Sequence, residues 1–176
     1  MRSIAPAVLA VSLLFAACAT SDTPGQTFPV ASIGPGTTVS PAVNQTRAAL
    51  VDALAAHQLV LTDTQAPVRP VESALLVSAP RAVYQVVLPK DPTRGYIVVY
   101  EFPDSSAAAL AAAEEQHYLE TGPGRIQSPQ GTVQVLRQVG VTLVLYDWLP
   151  GAAQDPAAPQ IQPALETLGV GFPVGG

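Results

Sequence analysis

Two short runs of this chain, residues 96–102 and 141–148, are apolar on both faces of an extended strand. Successive side chains of a strand point to opposite faces, so a strand with one solvated face alternates apolar and polar residues. Neither run alternates in that way. We therefore expect both runs to be central strands of a sheet that is covered on each side.

The remaining pattern predicts two further strands and three helices. Residues 82–88 and 132–137 have period two but carry polar interruptions, which indicates less buried strands at the sheet edges. Turn-forming residues lie between 82–88 and 96–102 and again between 132–137 and 141–148. Each of these two pairs is therefore expected to form a hairpin. Apolar residues at helical spacing predict helices at 41–57, 105–119 and 160–168.

Local signals set the boundaries of these elements. Ser40 and Pro41 are suited to the cap and first position of a helix. The Pro103–Ser106 stretch ends a strand and caps the second helix, and Gly122-Pro123-Gly124 stops that helix. Residues 60–62 are a candidate short strand. The 67–70 stretch contains two prolines, which should end any helix or strand that precedes them.

This order of elements, α-β-β-α-β-β-α, predicts an α+β domain. Its sheet should be four-stranded and mostly antiparallel, with two longer helices and a short C-terminal helix. If the two long helices cover one face, the short helix is too small to cover the other. We therefore expect an exposed apolar strip that binds a partner or ligand, at Val144, Tyr146 and Trp148. The alternative for Trp148 is that it closes the end of the core.

The N-terminus predicts export. Arg2 precedes an apolar run that stops at Cys18, short of the roughly 20 residues that span a membrane. The sequence Leu14-Phe15-Ala16-Ala17-Cys18 resembles the bacterial lipobox, with Phe15 where Leu, Val or Ile is usual. That resemblance implies cleavage before Cys18 and attachment of acyl chains such as palmitate to its sulfur. An ordinary secretory signal is the alternative.

These signals divide the chain into a signal peptide (1–17), a tether (18–39) and one α+β domain (40–176). The tether is rich in Thr, Ser, Pro and Gly and has too few large apolar residues to form a core. Cys18 is the single cysteine of the chain, which excludes an internal disulfide. Acylation gives this exported thiol a role.

The domain itself has a looser likeness. The run from Tyr96 to Asp104, the Ala-rich helix after it and the run from Val141 to Tyr146 resemble a group of uncharacterised bacterial envelope lipoproteins. The shared features are a strand with valine, tyrosine and glutamate before the helix and a strand with leucine, valine and tyrosine after it. The resemblance implies a fold class and a location, with no activity attached.

Composition and motifs argue against several function classes. Eight basic residues are scattered singly against 13 acidic ones, for a net charge of −5, which disfavours nucleic-acid binding. His57 and His117 are 60 residues apart, without the clustered ligands of a metal site, and each is expected near a helix end. We predict no cofactor.

Catalytic signatures are equally weak. The motifs of a nucleophilic serine are absent from the sequence, and the Gly122–Arg125 stretch ends a helix instead of starting one. Glu114, Glu115 and Glu120, near His117, could suggest acid–base chemistry. Adjacent helical residues point about 100° apart, so a solvated helix face is the expected role of Glu114 and Glu115.

The sequence thus predicts an envelope lipoprotein with a non-enzymatic, protein-binding or structural role. Its acyl chains would anchor the protein on the outer side of the cytoplasmic membrane or in the outer membrane. The alternative is that the protein is secreted. An envelope protein or a second copy would be its partner. A small-molecule or peptide-binding module is the main alternative function, and an unrecognised hydrolase is a further one. A concave cavity would favour a ligand, and an exposed apolar face would favour a partner.

Overall fold

The two apolar runs form neighbouring strands in the middle of one antiparallel sheet. The computed structural model describes residues 39–151 and 155–174. The predicted signal peptide, Cys18 and the tether up to residue 38 lie outside the described residues. Within them, six strands form a sheet, namely β1 (Leu61–Asp63), β2 (Arg81–Val86), β3 (Tyr96–Glu101), β4 (Val133–Val139), β5 (Thr142–Trp148) and β6 (Val170–Phe172).

The strand order is β1-β2-β3-β5-β4-β6, with every neighbour antiparallel. The central position of β3 and β5 and both hairpins, β2–β3 and β4–β5, are confirmed. The prediction of four strands is wrong, and so is the placement of β2 and β4 at the edges. The candidate short strand at 60–62 corresponds to the edge strand β1. The other edge strand, β6, was not predicted, because its three residues are too few for a period-two pattern to be recognised.

Five α-helices lie among the described residues, namely α1 (Pro41–Ala55), α2 (Ala74–Ser78), α3 (Ser105–Thr121), α4 (Pro123–Gln127) and α5 (Ile161–Glu166). The predicted caps are confirmed at two of them. The Ser40 hydroxyl accepts a hydrogen bond from the Val43 N–H, and Asp104 accepts one from Ala107 N–H at 2.8 Å. Gly122 ends α3, as expected, but α4 follows at once and, like α2, was not predicted.

The two long helices lie on opposite faces of the sheet. Leu50 and Leu54 of α1 pack with Ile161 of α5 on one face, in the same core cluster as Val144. Ala108 and Ala111 of α3 pack on the other face, in a cluster with Leu143 and with Leu76 of α2. The protein therefore has three layers, and the α+β class is confirmed. The assumption that both long helices share one face is wrong.

A buried hydrogen bond ties α1 to the central strand. The hydroxyl groups of Thr46 and Thr142 are 2.7 Å apart, and the Thr142 hydroxyl also donates to the Val139 carbonyl. Both threonines are almost completely buried. This contact places α1 directly over β5, so the face that we expected to be exposed is covered.

Candidate functional site

The structure places the predicted partner surface in the core. Val144 has no exposed surface and Tyr146 is 2% exposed, because α1 and α5 cover this face. Trp148 is partly buried against the same cluster, and its indole N–H is buried without a hydrogen-bond partner among the described residues. The exposed strip that we expected at these three residues is therefore wrong.

The two histidines lie apart from each other on the surface. The Nδ1 atom of His57 is 3.3 Å from the amide oxygen of Gln160. His117 is on α3, with its ring 3.0 Å from the Thr121 hydroxyl. In the part of the chain that the structure describes, no group of three His, Cys, Asp or Glu side chains is arranged to hold a metal ion.

Glu114 and Glu115 have a different role from the solvated face that we predicted. Glu115 is completely buried, and its Oε2 atom accepts a hydrogen bond from the Ser73 N–H at 2.7 Å. Glu114 is half-buried, and its Oε1 atom accepts one from the Leu75 N–H at 3.3 Å. Both carboxyl groups therefore bind backbone amides at the start of α2, and the prediction of a solvated face is wrong.

A third carboxyl group continues this pattern. Asp147 of β5 lies near the Val71 N–H, which favours the charged form of its carboxyl group and so opposes a rise of its pKa. The backbone amides of Ser73 and Leu75 are thus bound by Glu115 and Glu114, and Asp147 lies near the amide of Val71. Acidic side chains from α3 and β5 therefore lie against this stretch, which we call the 71–75 segment.

The side chain of Glu72, within the segment, makes a separate network. Its Oε1 atom accepts hydrogen bonds from Arg81 and from the Tyr100 hydroxyl, each at 2.8 Å. Arg69 lies 3.7 Å from its Oε2 atom. The Glu72 carboxylate is 3% exposed and has two cationic partners. We call Glu72, Glu114, Glu115 and Asp147 the carboxyl cluster.

Burial disfavours the charged form of two members of this cluster. Burial, with the nearby Glu115 carboxyl group, raises the pKa of Asp147 to about 7, although hydrogen bonds from Gln134 and Val71 oppose the rise. Burial also raises the pKa of Glu115, against the hydrogen bond from the Ser73 N–H. One oxygen of each group, Oδ1 of Asp147 and Oε1 of Glu115, is buried without a hydrogen-bond partner among the described residues.

The carboxyl cluster was missed by sequence reasoning, but one signal was present. Asp147 alternates with Leu143 and Leu145 along β5, so it occupies a core-facing position of a strand that is otherwise apolar there. An acidic residue at such a position needs partners. Its partners come from the 71–75 segment, whose location the sequence pattern does not reveal.

A groove open to solvent lies beside this segment, between α2, the end of β3 and the start of α3. Its volume is about 340 Å³. We call it the apolar groove, because most of its lining residues are apolar. The full lining consists of Leu75, Ser78, Ala79, Pro80, Glu101, Phe102, Pro103, Ala107 and Leu110. Leu110 is 67% exposed, and Val77 on α2 is 52% exposed. The Glu101 carboxylate at the groove has no hydrogen-bond or ion-pair partner in the described ranges.

A second open groove, of about 650 Å³, follows the outer edge of β4. Strand β6 pairs with residues 136–138 of β4 and leaves residues 133–135 without a partner strand on that side, among the residues described. After β6, the carbonyl oxygen of Pro173 accepts a hydrogen bond from the Gln116 side chain at 2.7 Å, and Pro173 and Val174 also line the groove. We call this the edge groove.

No helix within residues 39–151 and 155–174 is long and apolar enough to cross a membrane. Comparison with known proteins gives no assignment: no protein-family model, no curated protein and no solved structure matches this chain.

Proposed function

We propose that this protein is an exported, lipid-anchored envelope protein whose domain binds a partner protein at the apolar groove. The anchor part rests on the lipobox-like sequence that ends at Cys18. The binding part rests on one observation, the exposure of Leu110 in the lining of an open apolar groove. An exposed apolar patch with a polar rim is typical of a protein-binding surface.

The charges around the groove favour a basic partner. Glu101 lines the groove, and Asp104 lies next to the lining residue Pro103. An anionic lipid surface would be repelled by these carboxylates. A second copy that used the same patch symmetrically would bring Glu101 close to its own counterpart. The partner is therefore a different protein that inserts a large apolar side chain next to a lysine or arginine.

Paired variants test this surface. Leu110→Lys places a positive charge where the apolar side chain should insert, and we expect the complex extracted from cells in mild detergent to be reduced at least about tenfold. Glu101→Lys should also weaken the complex. Ile126→Lys on α4 is the matched control, because Ile126 is 89% exposed and lies outside the groove lining. A complex that survives Leu110→Lys, or that Ile126→Lys reduces equally, contradicts the proposed surface.

The anchor has its own test. Cys18→Ser removes the acylated sulfur, so it should abolish incorporation of labelled fatty acid and leave a precursor or a soluble form. Equal labelling of the wild type and the variant would contradict lipid anchoring. This test is independent of the groove.

A second candidate function is peptide binding in the edge groove. The open side of β4 at residues 133–135 favours it, since an extended peptide can add to a sheet edge through backbone hydrogen bonds. A library of short peptides should then shift the amide resonances of Gln134 and Val135. Unchanged resonances would leave the apolar groove as the proposed binding surface.

A further inference from the structure

On the basis of the second candidate function, peptide binding in the edge groove, we propose that the ligand is the C-terminal end of an extended peptide. The peptide strand runs parallel to β4, and its carboxylate lies toward Arg137. Two features of the edge groove carry this inference. They are an unpaired stretch of strand edge and a guanidinium group whose hydrogen-bond acceptors are carbonyl oxygens.

The unpaired stretch of β4 has a definite length and a definite end. β6 pairs with residues 136–138, and no strand of the described ranges pairs with residues 133–135 on that side. Residues 133–135 also line the groove, so a peptide strand can reach their backbone groups. At its far end such a strand meets Phe172, which pairs with Leu136. β6 therefore blocks a longer pairing, and one terminus of the peptide lies at this point.

Arg137 supplies positive charge at the blocked end. It follows Val135 by two positions on β4, on the same face of the strand, and it lines the groove. Its guanidinium lies against Gly171 and donates hydrogen bonds to the carbonyl oxygens of Leu168 and Gly169. Carbonyl oxygens do not neutralise the charge, and no carboxylate of the residues described forms an ion pair with Arg137.

This charge selects the direction of the peptide. A strand parallel to β4 ends at β6 with its carboxylate, whereas an antiparallel strand brings its N-terminus there. The Arg137 guanidinium attracts a carboxylate, directly or through a bridging water, and repels an ammonium group. Parallel pairing is slightly less stable per residue than antiparallel pairing, but the difference applies to only three residues here.

Glu166 of α5 opposes a carboxylate ligand. It also lines the edge groove, and its Oε1 atom accepts a hydrogen bond from the Gln162 side chain at 2.8 Å. Within residues 39–151 and 155–174, no cation forms an ion pair with it. Arg137 and Glu166 should therefore change the affinity for a peptide carboxylate in opposite directions.

Two matched peptide sets test the ligand chemistry on the full chain. A library of N-acetylated pentapeptides is made once with a free C-terminal carboxylate and once with a C-terminal amide. Binding is measured from the amide resonances of Gln134 and Val135. We expect the free acids to bind at least about fivefold more tightly, with a smaller difference at high salt. Equal affinity overturns the carboxylate assignment and leaves peptide binding in place, whereas binding of neither set contradicts both.

A paramagnetic label on the N-terminal end of the tightest peptide tests the direction. In a parallel strand the label lies near the start of β4, so it should broaden the amide resonances of Gly131 and Thr132. Broadening at Phe172 in their place overturns the parallel arrangement.

Variants identify the charged groups through the ratio of acid to amide affinity. Arg137→Gln should remove the preference for the acid, and Glu166→Gln should increase it. Asp52→Asn, which neutralises an exposed carboxylate on α1 outside the groove lining, is the matched control and should leave the ratio unchanged. A structural role of Arg137 alone would weaken both peptide sets equally. An unchanged ratio in Glu166→Gln, together with an unchanged ratio or no folding in Arg137→Gln, overturns the proposal.

Discussion

At the scale of single residues, Asp147 is the least typical position in the domain. An acidic side chain that is partly buried at the end of an apolar strand, with its Oδ1 atom shielded from solvent, costs free energy when it ionises. In this protein the cost is reduced by protonation and by hydrogen bonds from Val71 and Gln134. The same residue lies where the sheet meets the 71–75 segment, so its charge affects the stability of the fold.

Asp147 should make the protein less stable as pH rises. Its pKa is about 7 in the folded protein and near 3.8 when unfolded, so folding favours the protonated form. The stabilisation is complete below about pH 4 and is lost as pH rises through 7, by about 1.4 kcal/mol for each pH unit between the two values. We expect the wild-type free energy of unfolding, measured in urea, to be lower at pH 8 than at pH 5.

Asp147→Asn is the matching variant. The asparagine side chain has nearly the size and shape of the aspartic acid, and it does not ionise. The variant should show a flatter pH dependence than the wild type and should be the more stable protein at pH 8. A wild type that is equally stable at both pH values, or a variant that is less stable at pH 8, would show that Asp147 is ionised at little cost.

At the scale of elements, some helices and strands form through contacts between distant segments, and sequence patterns do not reveal these contacts. β3, β5, α1 and α3 were predictable because each has a long apolar pattern or a recognisable cap. α2 was not, because it has five residues and the amides at its start are bound by Glu114 and Glu115, which lie about 40 residues away in sequence. The apolar groove was unpredictable for the same reason, since α2 forms one of its walls.

β6 illustrates how a short edge strand is held in place. The Arg137 side chain crosses the backbone of β6 at Gly171. Its guanidinium donates hydrogen bonds to the carbonyl oxygens of Leu168 at 2.7 Å and Gly169 at 3.1 Å. A Cβ atom at Gly171 would overlap the Arg137 guanidinium. The absence of a side chain at Gly171 thus allows Arg137 to fasten the end of the chain to β4.

Gly171→Ala should therefore destabilise the protein by about 1–2 kcal/mol, because the guanidinium would lose these hydrogen bonds. The cost should be smaller when Arg137 is already alanine, since the overlap is then removed. Unfolding in urea of the two single variants and the double variant measures this coupling. Equal costs of Gly171→Ala in both backgrounds would mean that Arg137 does not hold β6.

At the scale of the whole molecule, we propose that a lipid anchor holds a three-layer domain whose apolar groove has acidic residues at its rim. Sequence analysis predicted the α+β class and the central strands, but it assigned the partner surface to Val144, which is core. The error arose because hydrophobic periodicity does not show which face of the sheet each helix covers. Export and partner binding remain predictions that experiment can decide.

Site-specific photo-crosslinking in intact cells tests the central claim most directly. A photoreactive amino acid is placed at position 110 in the apolar groove and, as a matched control, at position 126 on α4. The account predicts one dominant adduct at position 110, with an exported protein that contributes an apolar residue beside a lysine or arginine, and no such adduct at position 126. The same adduct from both positions, or none at position 110 from protein that reaches the envelope, would contradict the proposed function.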